Sequence, residues 1–380
     1  MSELKNLNIT LPPLQITITD EKQVNLQWVK SQLSEELLAN SQGNNLPTLS
    51  NEHKKIIASQ KLSRRPDQDI INLLVKMGAD IDLVKKEVQE LNQNPYFQAG
   101  QEFVQSLEKL ECQLKNQEKL ASLSSKYGKI ERKSSPSRQY FLENYYAANY
   151  PVILTNVMHS WRALQLWNPQ YLKEKYGEVE VEIQANRNSD PEYELQVDKH
   201  RQKVLLKDYI QSIQTGGKTN DYYMVANNQN LDKSDLKNLL TDIDIFPEYL
   251  DRANSQQRIF FWFGPGGTIT PLHHDTSNII LAQVYGRKLI KMISPDQSPL
   301  LYNYRGVFSK VDCAHPDYEK YPLFSQVKSI EVILEPGEAI FIPVGWWHYV
   351  EALDVSISVS FTNFVFPNHY EWKFPHINRY

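Results

Sequence analysis

From Tyr150 onward, short apolar runs alternate with glycine, proline and asparagine, and this pattern limits the possible folds more than any other feature. The predicted strands are Pro151–Leu154, Ile259–Phe263, Asn278–Val284, Lys288–Ser294, Ile330–Leu334, Ala339–Pro343 and Asp354–Phe361. Tyr285-Gly-Arg287 lies between two of them and predicts a hairpin turn. In the last strand, Ile357, Val359 and Phe361 alternate with serines, so one face is apolar and the other carries small hydroxyls. Many short strands with such turns predict a mainly β, closed or sandwiched body, with a jelly roll favoured.

The first third of the chain has helical periodicity instead. Helices are predicted over Val24–Leu38, over Glu52–Leu62 and, in two pieces around Gly78, over Asp69–Leu91. After the turn at Asn94-Pro95, a long helix carries a coiled-coil-like stripe of Phe103, Leu107, Leu110 and Leu114. This stripe is interpreted either as part of a packed helical layer or as a surface for dimerisation or a partner. The polar segment Lys129–Arg138 is the predicted linker, which gives a helical region over residues 1–130 and a β domain over residues 139–380.

Composition and charge exclude several classes of protein. With 41% hydrophobic and 23% charged residues, the chain predicts a globular protein with a core, not a disordered chain or a disulfide scaffold. The net charge of −4 gives no global reason to expect a nucleic-acid partner. The sequence contains neither a secretory signal nor an apolar run long enough to span a membrane, and its two cysteines are far apart. A cytoplasmic protein without a membrane partner is therefore expected.

One strand carries the residues of a candidate metal site. His273 and Asp275 are two apart, so on a strand both point to one face, while His274 faces the other. His348 is the best-placed third ligand, because it follows a predicted strand and a Pro/Gly turn in apolar surroundings. Two histidines and a carboxylate form the facial triad that leaves coordination positions open and favours non-haem Fe(II) oxygen chemistry. No arrangement for nucleophilic catalysis by a side chain is recognisable.

The stretch from Phe261 to Phe361 resembles the Jumonji-C (JmjC) branch of the cupin-like Fe(II)/2-oxoglutarate oxygenases, and the small JmjC hydroxylases in particular. The matching pieces are Trp262-Phe-Gly-Pro-Gly-Gly-Thr, Thr270-Pro-Leu-His273-His-Asp275, Ala282-Gln-Val-Tyr-Gly-Arg-Lys288, Pro336-Gly-Glu-Ala-Ile-Phe-Ile-Pro, His348-Tyr-Val-Glu-Ala-Leu and Ser356-Ile-Ser-Val-Ser-Phe361. Weaker likeness extends over Phe141 to Phe366, which leaves the helical third outside. The resemblance implies a double-stranded β-helix, that is, a jelly-roll barrel, after an α-helical N-terminal region.

The resemblance also implies the cofactors and the residues that bind them. The metal would be Fe(II), held by His273, Asp275 and His348, and the cosubstrate would be 2-oxoglutarate. Its distal carboxylate would meet Lys288, with Thr270 and Tyr223 as hydroxyl partners, although Tyr222 is an equally good match to the family's tyrosine. Because Thr270 and His273 are three apart, we expect Pro271 to distort the strand and bring both inward. Asn278 and Asn363 resemble further cosubstrate contacts, although Asn278 lies one residue early for the family pattern.

The implied enzyme is a dioxygenase that hydroxylates a side chain of a protein or peptide with release of succinate and CO2. Three alternatives remain open at this point: a hydroxylase of a modified tRNA base, a non-redox cupin-type metal-binding protein and a metal-free binding module. Basic pairs such as Lys54-Lys55 are compatible with RNA, although such pairs are usually solvated helix faces. Substrate identity, demethylation as an outcome, and a homodimer are not decided by the sequence.

Overall fold

A computed structural model describes residues 49–232 and 235–370. The chain divides into two compact units, each made of two segments. The first unit comprises the chain up to Lys119 together with Asp317–Gln326. The second comprises Leu120–Pro316 and the chain from Val327 onward. The predicted limits of independent domains, at residues 130 and 139, stay a prediction. The helix expected over Val24–Leu38 lies outside the described residues. Within the described ranges, no helix has the length and apolar content needed to cross a bilayer.

The first unit contains the predicted helices. They are α1 (Asn51–Leu62), α2 (Asp67–Lys76), α3 (Ile81–Leu91) and α4 (Pro95–Ala121), whose last two residues belong to the second unit. Helices α1 to α3 bury an aliphatic core that includes Ile57, Leu74 and Val84. On α4 only Phe97 and Val104 are buried, while Phe103 and Leu110 are exposed. The predicted apolar stripe is therefore largely unpacked within the described residues, because the helix packs through a different face.

The second unit is built from strands with a few short helices between them. The helices are α5 (Arg138–Phe141), α6 (Ala163–Leu166), α7 (Pro169–Tyr176), α8 (Val197–His200) and α9 (Leu206–Gly216). The strands are β1 (Arg132–Ser134), β2 (Val152–Thr155), β3 (Glu180–Gln184), β4 (Arg201–Leu205), β5 (Ile259–Gly264), β6 (Ile269–His274), β7 (Ile279–Tyr285), β8 (Lys288–Ile293), β9 (Asn303–Arg305), β10 (Phe308–Ser309), β11 (Ile330–Leu334), β12 (Ala339–Ile342), β13 (Trp347–Ala352) and β14 (Ser356–Phe361). The segment expected to be a linker contains β1, which pairs in parallel with β2, so the linker prediction is wrong there.

Two six-stranded sheets form the double-stranded β-helix that the sequence predicts. One sheet has the order β1-β2-β12-β7-β14-β5, and the other has the order β11-β8-β13-β6-β10-β9. The strands from β5 to β8 change sheet along the chain in the order one, two, one, two. The hairpin predicted at Tyr285–Arg287 is therefore wrong: β7 and β8 lie in different sheets, and the turn carries the chain between them.

Strand β14 contributes polar side chains to the interior of the barrel. Ile357 and its alternate neighbours pack on the outer face of the first sheet, against the short helices. The serines face inward and are buried, and each has a polar partner. Ser358 donates to Gln283, and Ser360 accepts from the indole N–H of Trp262. The alternation read from the sequence is confirmed, and its hydroxyl face points into the barrel rather than to solvent.

Candidate metal centre and cosubstrate pocket

A bulge in β6 places two predicted site residues on the same wall. Against β13, His273 pairs with His348 while Thr270 pairs with Val350, so three steps along β6 match two steps along β13. The extra residue falls at Pro271 and Leu272, and a bulge of this kind shifts the inward and outward alternation by one. Both Thr270 and His273 consequently line a cavity of about 280 Å³. The expected distortion at Pro271 is present.

Three ligand atoms converge at this cavity, from the ends of β6 and β13. One nitrogen or oxygen from each of His273, Asp275 and His348 lies within 4.8 Å of the other two. The Asp275 carboxylate is 3.4 Å from Nε2 of His348 and 3.9 Å from Nε2 of His273. His274 points away from the group and packs its edge against Trp347, as expected for the next residue on a strand. This donor set has the composition of a facial triad for a divalent transition metal.

Backbone carbonyls fix the orientation of both imidazoles. Nδ1 of His273 lies 2.8 Å from the carbonyl oxygen of Pro271, and Nδ1 of His348 lies 3.0 Å from that of Trp346. Each Nδ1 therefore donates its hydrogen to a carbonyl, which leaves Nε2 as the nitrogen that could bind a metal. Burial and the neighbouring His348 lower the pKa of His273 to about 4, which favours the neutral ligand. Burial acts to raise the pKa of Asp275, but the bond to His348 and the adjacent imidazoles hold it below its usual value.

A buried lysine lies elsewhere in the lining of the same cavity. Lys288, the first residue of β8, is 2% exposed, and its ammonium donates to the Tyr223 hydroxyl at 3.2 Å. The rings of Tyr223 and Trp262 lie within 6 Å of it. Burial lowers the pKa of Lys288 to about 7. Such a cation, in a cavity that Thr270 also lines, fits a carboxylate ligand.

The structure separates the two tyrosines that the sequence left equivalent. Tyr223 exchanges backbone hydrogen bonds with Gln184 at the end of β3, and its side chain is buried in the cavity wall. The Tyr222 hydroxyl instead donates to the carbonyl oxygen of Ser212 on α9. Tyr223 is thus the tyrosine beside Lys288.

Two of the predicted cosubstrate contacts lie outside the cavity lining. Asn278 is 1% exposed, and its side chain accepts from the backbone N–H of Val344 and donates to the Tyr370 hydroxyl. The Asn363 amide donates to the carbonyl oxygen of Asp251. Ile279, six residues after His273, lines the cavity and Asn278 does not, which agrees with the one-residue departure seen in the sequence.

The cavity wall contains an ion pair that was not predicted from the sequence. The carboxylate of Glu194 lines the cavity and accepts from the guanidinium of Arg187 at 2.9 Å. Arg187 also donates to the carbonyl oxygen of Ile269 and stacks over the ring of Tyr193 at 4.2 Å. Burial raises the pKa of Glu194, and Arg187 opposes that rise. No local motif marks these residues, because the chain between β3 and β4 reaches the cavity only through the tertiary fold.

Fold and site together define a class of protein: a double-stranded β-helix with two histidines and one carboxylate in the lining of its interior cavity. A family model described as a cupin-like domain matches residues 137–365. The chain belongs to this cupin-like family. Its curated relatives include proteins named for the JmjC domain, and the predicted membership of the JmjC branch is confirmed.

Three relatives illustrate the extent of the similarity. Lysine-specific demethylase 8 of Xenopus tropicalis is 35% identical over 235 residues, which are 60% of this chain and 51% of the relative. Lysine-specific demethylase JMJ30 of Arabidopsis thaliana is 34% identical over 243 residues, 61% of this chain and 54% of the relative. Jumonji C domain-containing protein 5 of Drosophila melanogaster is 32% identical over 243 residues, 61% of this chain and 59% of the relative. The chain therefore matches between half and three-fifths of the length of these relatives.

Proposed function

We propose that this protein is an Fe(II)- and 2-oxoglutarate-dependent oxygenase that hydroxylates a side chain of a protein or peptide. The observation that carries the proposal is one cavity lined both by the His273, Asp275 and His348 ligand set and by the buried cation of Lys288. When bound, Fe(II) and 2-oxoglutarate supply the oxidation of a C–H bond by O2, with release of succinate and CO2.

The roles of the chain's own residues follow from their positions. The two Nε2 atoms and the Asp275 carboxylate hold the metal and leave its other positions open for ligands. Lys288, with the hydroxyls of Tyr223 and Thr270, binds the distal carboxylate of the cosubstrate through charge-assisted hydrogen bonds. The apolar side chains of the lining, such as Phe308 and Ile342, keep water from the reacting atoms.

The substrate side chain is proposed to be basic. Among the described residues that line the cavity, only Glu194 and Asp275 are acidic, and Asp275 belongs to the metal site. Arg187 occupies one oxygen of Glu194 and favours its charged form. The other oxygen is left for an N–H donor of the substrate. Relatives named lysine-specific demethylases are consistent with a basic protein side chain.

The test is an anaerobic titration of the metal-free protein with Fe(II) and 2-oxoglutarate, followed by the weak visible charge-transfer band of the chelated cosubstrate. We expect a band in the wild type, none in Asp275→Ala, and a much higher cosubstrate requirement in Lys288→Ala. The matched control is Lys291→Ala, on the same strand, whose ammonium pairs with Glu331 near the surface.

A wild-type protein that gives no band would overturn the proposal. Tight zinc binding in that case would favour the non-redox cupin, and no metal binding would favour a metal-free module. Hydroxylation of a modified tRNA base would require salt-dependent binding of tRNA, which a filter-binding assay measures. A cytoplasmic location and a homodimer stay predictions.

A further inference from the structure

Asn278 lies in a hydrogen-bonded hub between the two chain segments that carry Asp275 and His348. Its side-chain oxygen accepts from the backbone N–H of Val344 at 2.8 Å. Three residues earlier, the carbonyl oxygen of Asp275 accepts from the backbone N–H of Gly345 at 3.1 Å. Two hydrogen bonds therefore join the loop after β6 to the turn before β13.

The turn held in this way also orients one metal ligand. The backbone N–H of Trp346 donates to the carbonyl oxygen of Pro343, and the carbonyl oxygen of Trp346 accepts from Nδ1 of His348. A shift of the turn would move the acceptor that fixes the His348 ring. Groups that orient metal ligands in this way are part of the metal site's design.

A second asparagine holds Asn278 itself. Asn368, which is 7% exposed, accepts from the backbone N–H of Asn278 at 2.8 Å and donates to its carbonyl oxygen at 3.0 Å. The same amide donates to the carbonyl oxygen of Thr362, just beyond β14. The segment around Asn368 is anchored in turn by the Tyr146 hydroxyl, which donates to Pro367. Neither asparagine lines the cavity, so neither contacts metal or substrate there.

We propose that Asn278 and Asn368 are positioning residues that hold the loop of Asp275 and the turn before His348 at the spacing that metal binding requires. The proposal rests on the metal site of the proposed function, and it adds which residues set the geometry of that site. It also gives Asn278 a structural task in place of the cosubstrate contact expected from the sequence.

The chain offers a matched control in Asn230. This residue is 3% exposed, accepts from the backbone N–H of Glu182 at 3.0 Å and donates to its carbonyl oxygen at 2.8 Å. It thus makes the same pair of backbone bonds as Asn368, but on β3, none of whose residues lines the cavity. Asn230→Ala should lose comparable stability without a change at the metal site.

The experiment is a titration of the 380-residue chain with Co(II) alone, read by the d–d absorption of the bound ion. We expect Asn368→Ala to weaken Co(II) binding about tenfold and to change the band shape, because altered orientation of outer-shell groups typically costs 10–100-fold in affinity. Asn278→Ala should behave in the same way. Asn230→Ala should keep the wild-type affinity and spectrum, and Tyr370→Phe, which removes the hydroxyl that accepts from the Asn278 side chain, should do so too. Asn278→Ala, which leaves the backbone bonds between Asn278 and Asn368 in place, carries the test if Asn368→Ala does not fold.

The outcomes separate this inference from the proposed function. Wild-type affinity and spectrum in the folded Asn368 and Asn278 variants would overturn the positioning role while leaving the metal site intact. Equal weakening by Asn230→Ala would overturn it as well, because the effect would then follow general stability. A wild-type protein that binds no Co(II) would overturn the metal site and the inference with it.

Discussion

At the scale of single residues, the proposed cosubstrate end of the cavity depends on a lysine that folding places in an unfavourable environment. Lys288 is almost fully buried, and its hydrogen bond within the described ranges goes to a neutral hydroxyl rather than to a carboxylate. Burial without an opposite charge disfavours the charged form, which explains why its pKa falls to about 7. An arriving carboxylate would supply the missing charge and favour protonation again.

Binding of 2-oxoglutarate should therefore take up a proton above pH 7. The protonated lysine is the binding form, so affinity should be nearly constant below pH 7 and fall by up to tenfold per unit above it. Calorimetry on the Mn(II)-loaded protein, in two buffers of different ionisation enthalpy at pH 8.5, counts the protons. Lys288→Arg, which is charged at pH 8.5, should show no uptake at this site. Equal heats in both buffers for the wild type would contradict the prediction.

Substitution of Glu194 should weaken the reaction with basic substrates. Glu194→Gln removes the charge but keeps the shape, and a charge-assisted hydrogen bond is worth about 1.5–3 kcal/mol, so we expect about a 10–100-fold loss on basic substrates. The assay uses peptide libraries with one position fixed as Lys, Arg, norleucine or citrulline and detects one added oxygen atom by mass spectrometry. Glu192→Gln is the control, because Glu192 pairs with Arg305 and lies outside the cavity lining. Equal turnover of the neutral members would exclude the basic substrate.

At the scale of elements, the turn between β7 and β8 shows what a local pattern can and cannot predict. Both strands were predicted within one residue of their ends, because apolar runs and turn residues are local signals. Their pairing was predicted incorrectly, since a hairpin and a crossing between sheets can use the same glycine turn. The partners of both strands come from distant segments, β12 and β14 for one and β11 and β13 for the other.

Gly286 should tolerate substitution less well than Gly337, another glycine with a positive φ. Its φ is +68°, and an added β-carbon would overlap the carbonyl oxygen of Val355. Gly337 has a φ of +88°, but the nearest atom to an added β-carbon is 3.9 Å away, on Leu164. Both changes to alanine incur the left-handed penalty of about 1–2 kcal/mol, and Gly286→Ala should lose roughly 1–3 kcal/mol more from the clash. Urea unfolding of both variants measures the difference, and equal losses would contradict the prediction.

At the scale of the whole molecule, the sequence predicted the three candidate metal ligands, which the structure brings together, better than the surroundings that hold them. The triad follows from strand periodicity together with a family resemblance. Glu194, Arg187 and the roles of Asn278 and Asn368 depend on contacts between segments far apart in the chain, which leave no local pattern. The exposure of Phe103 could not be predicted either, because an apolar stripe along a helix does not reveal which face of the helix packs against other elements.

Metal binding should stabilise the folded chain through ligands that only the folded state brings together. His273 and His348 are 75 positions apart in sequence but have ring centres 4.1 Å apart, so an unfolded chain cannot bind the ion through the same set. With Mn(II) at 100 times its dissociation constant, the free energy of unfolding should rise by about 2.7 kcal/mol. Thermal unfolding with and without the ion measures the change, and Asp275→Ala should show little of it. A rise of equal size in that variant would mean that the ion acts elsewhere on the protein, and the triad would no longer account for the stabilisation.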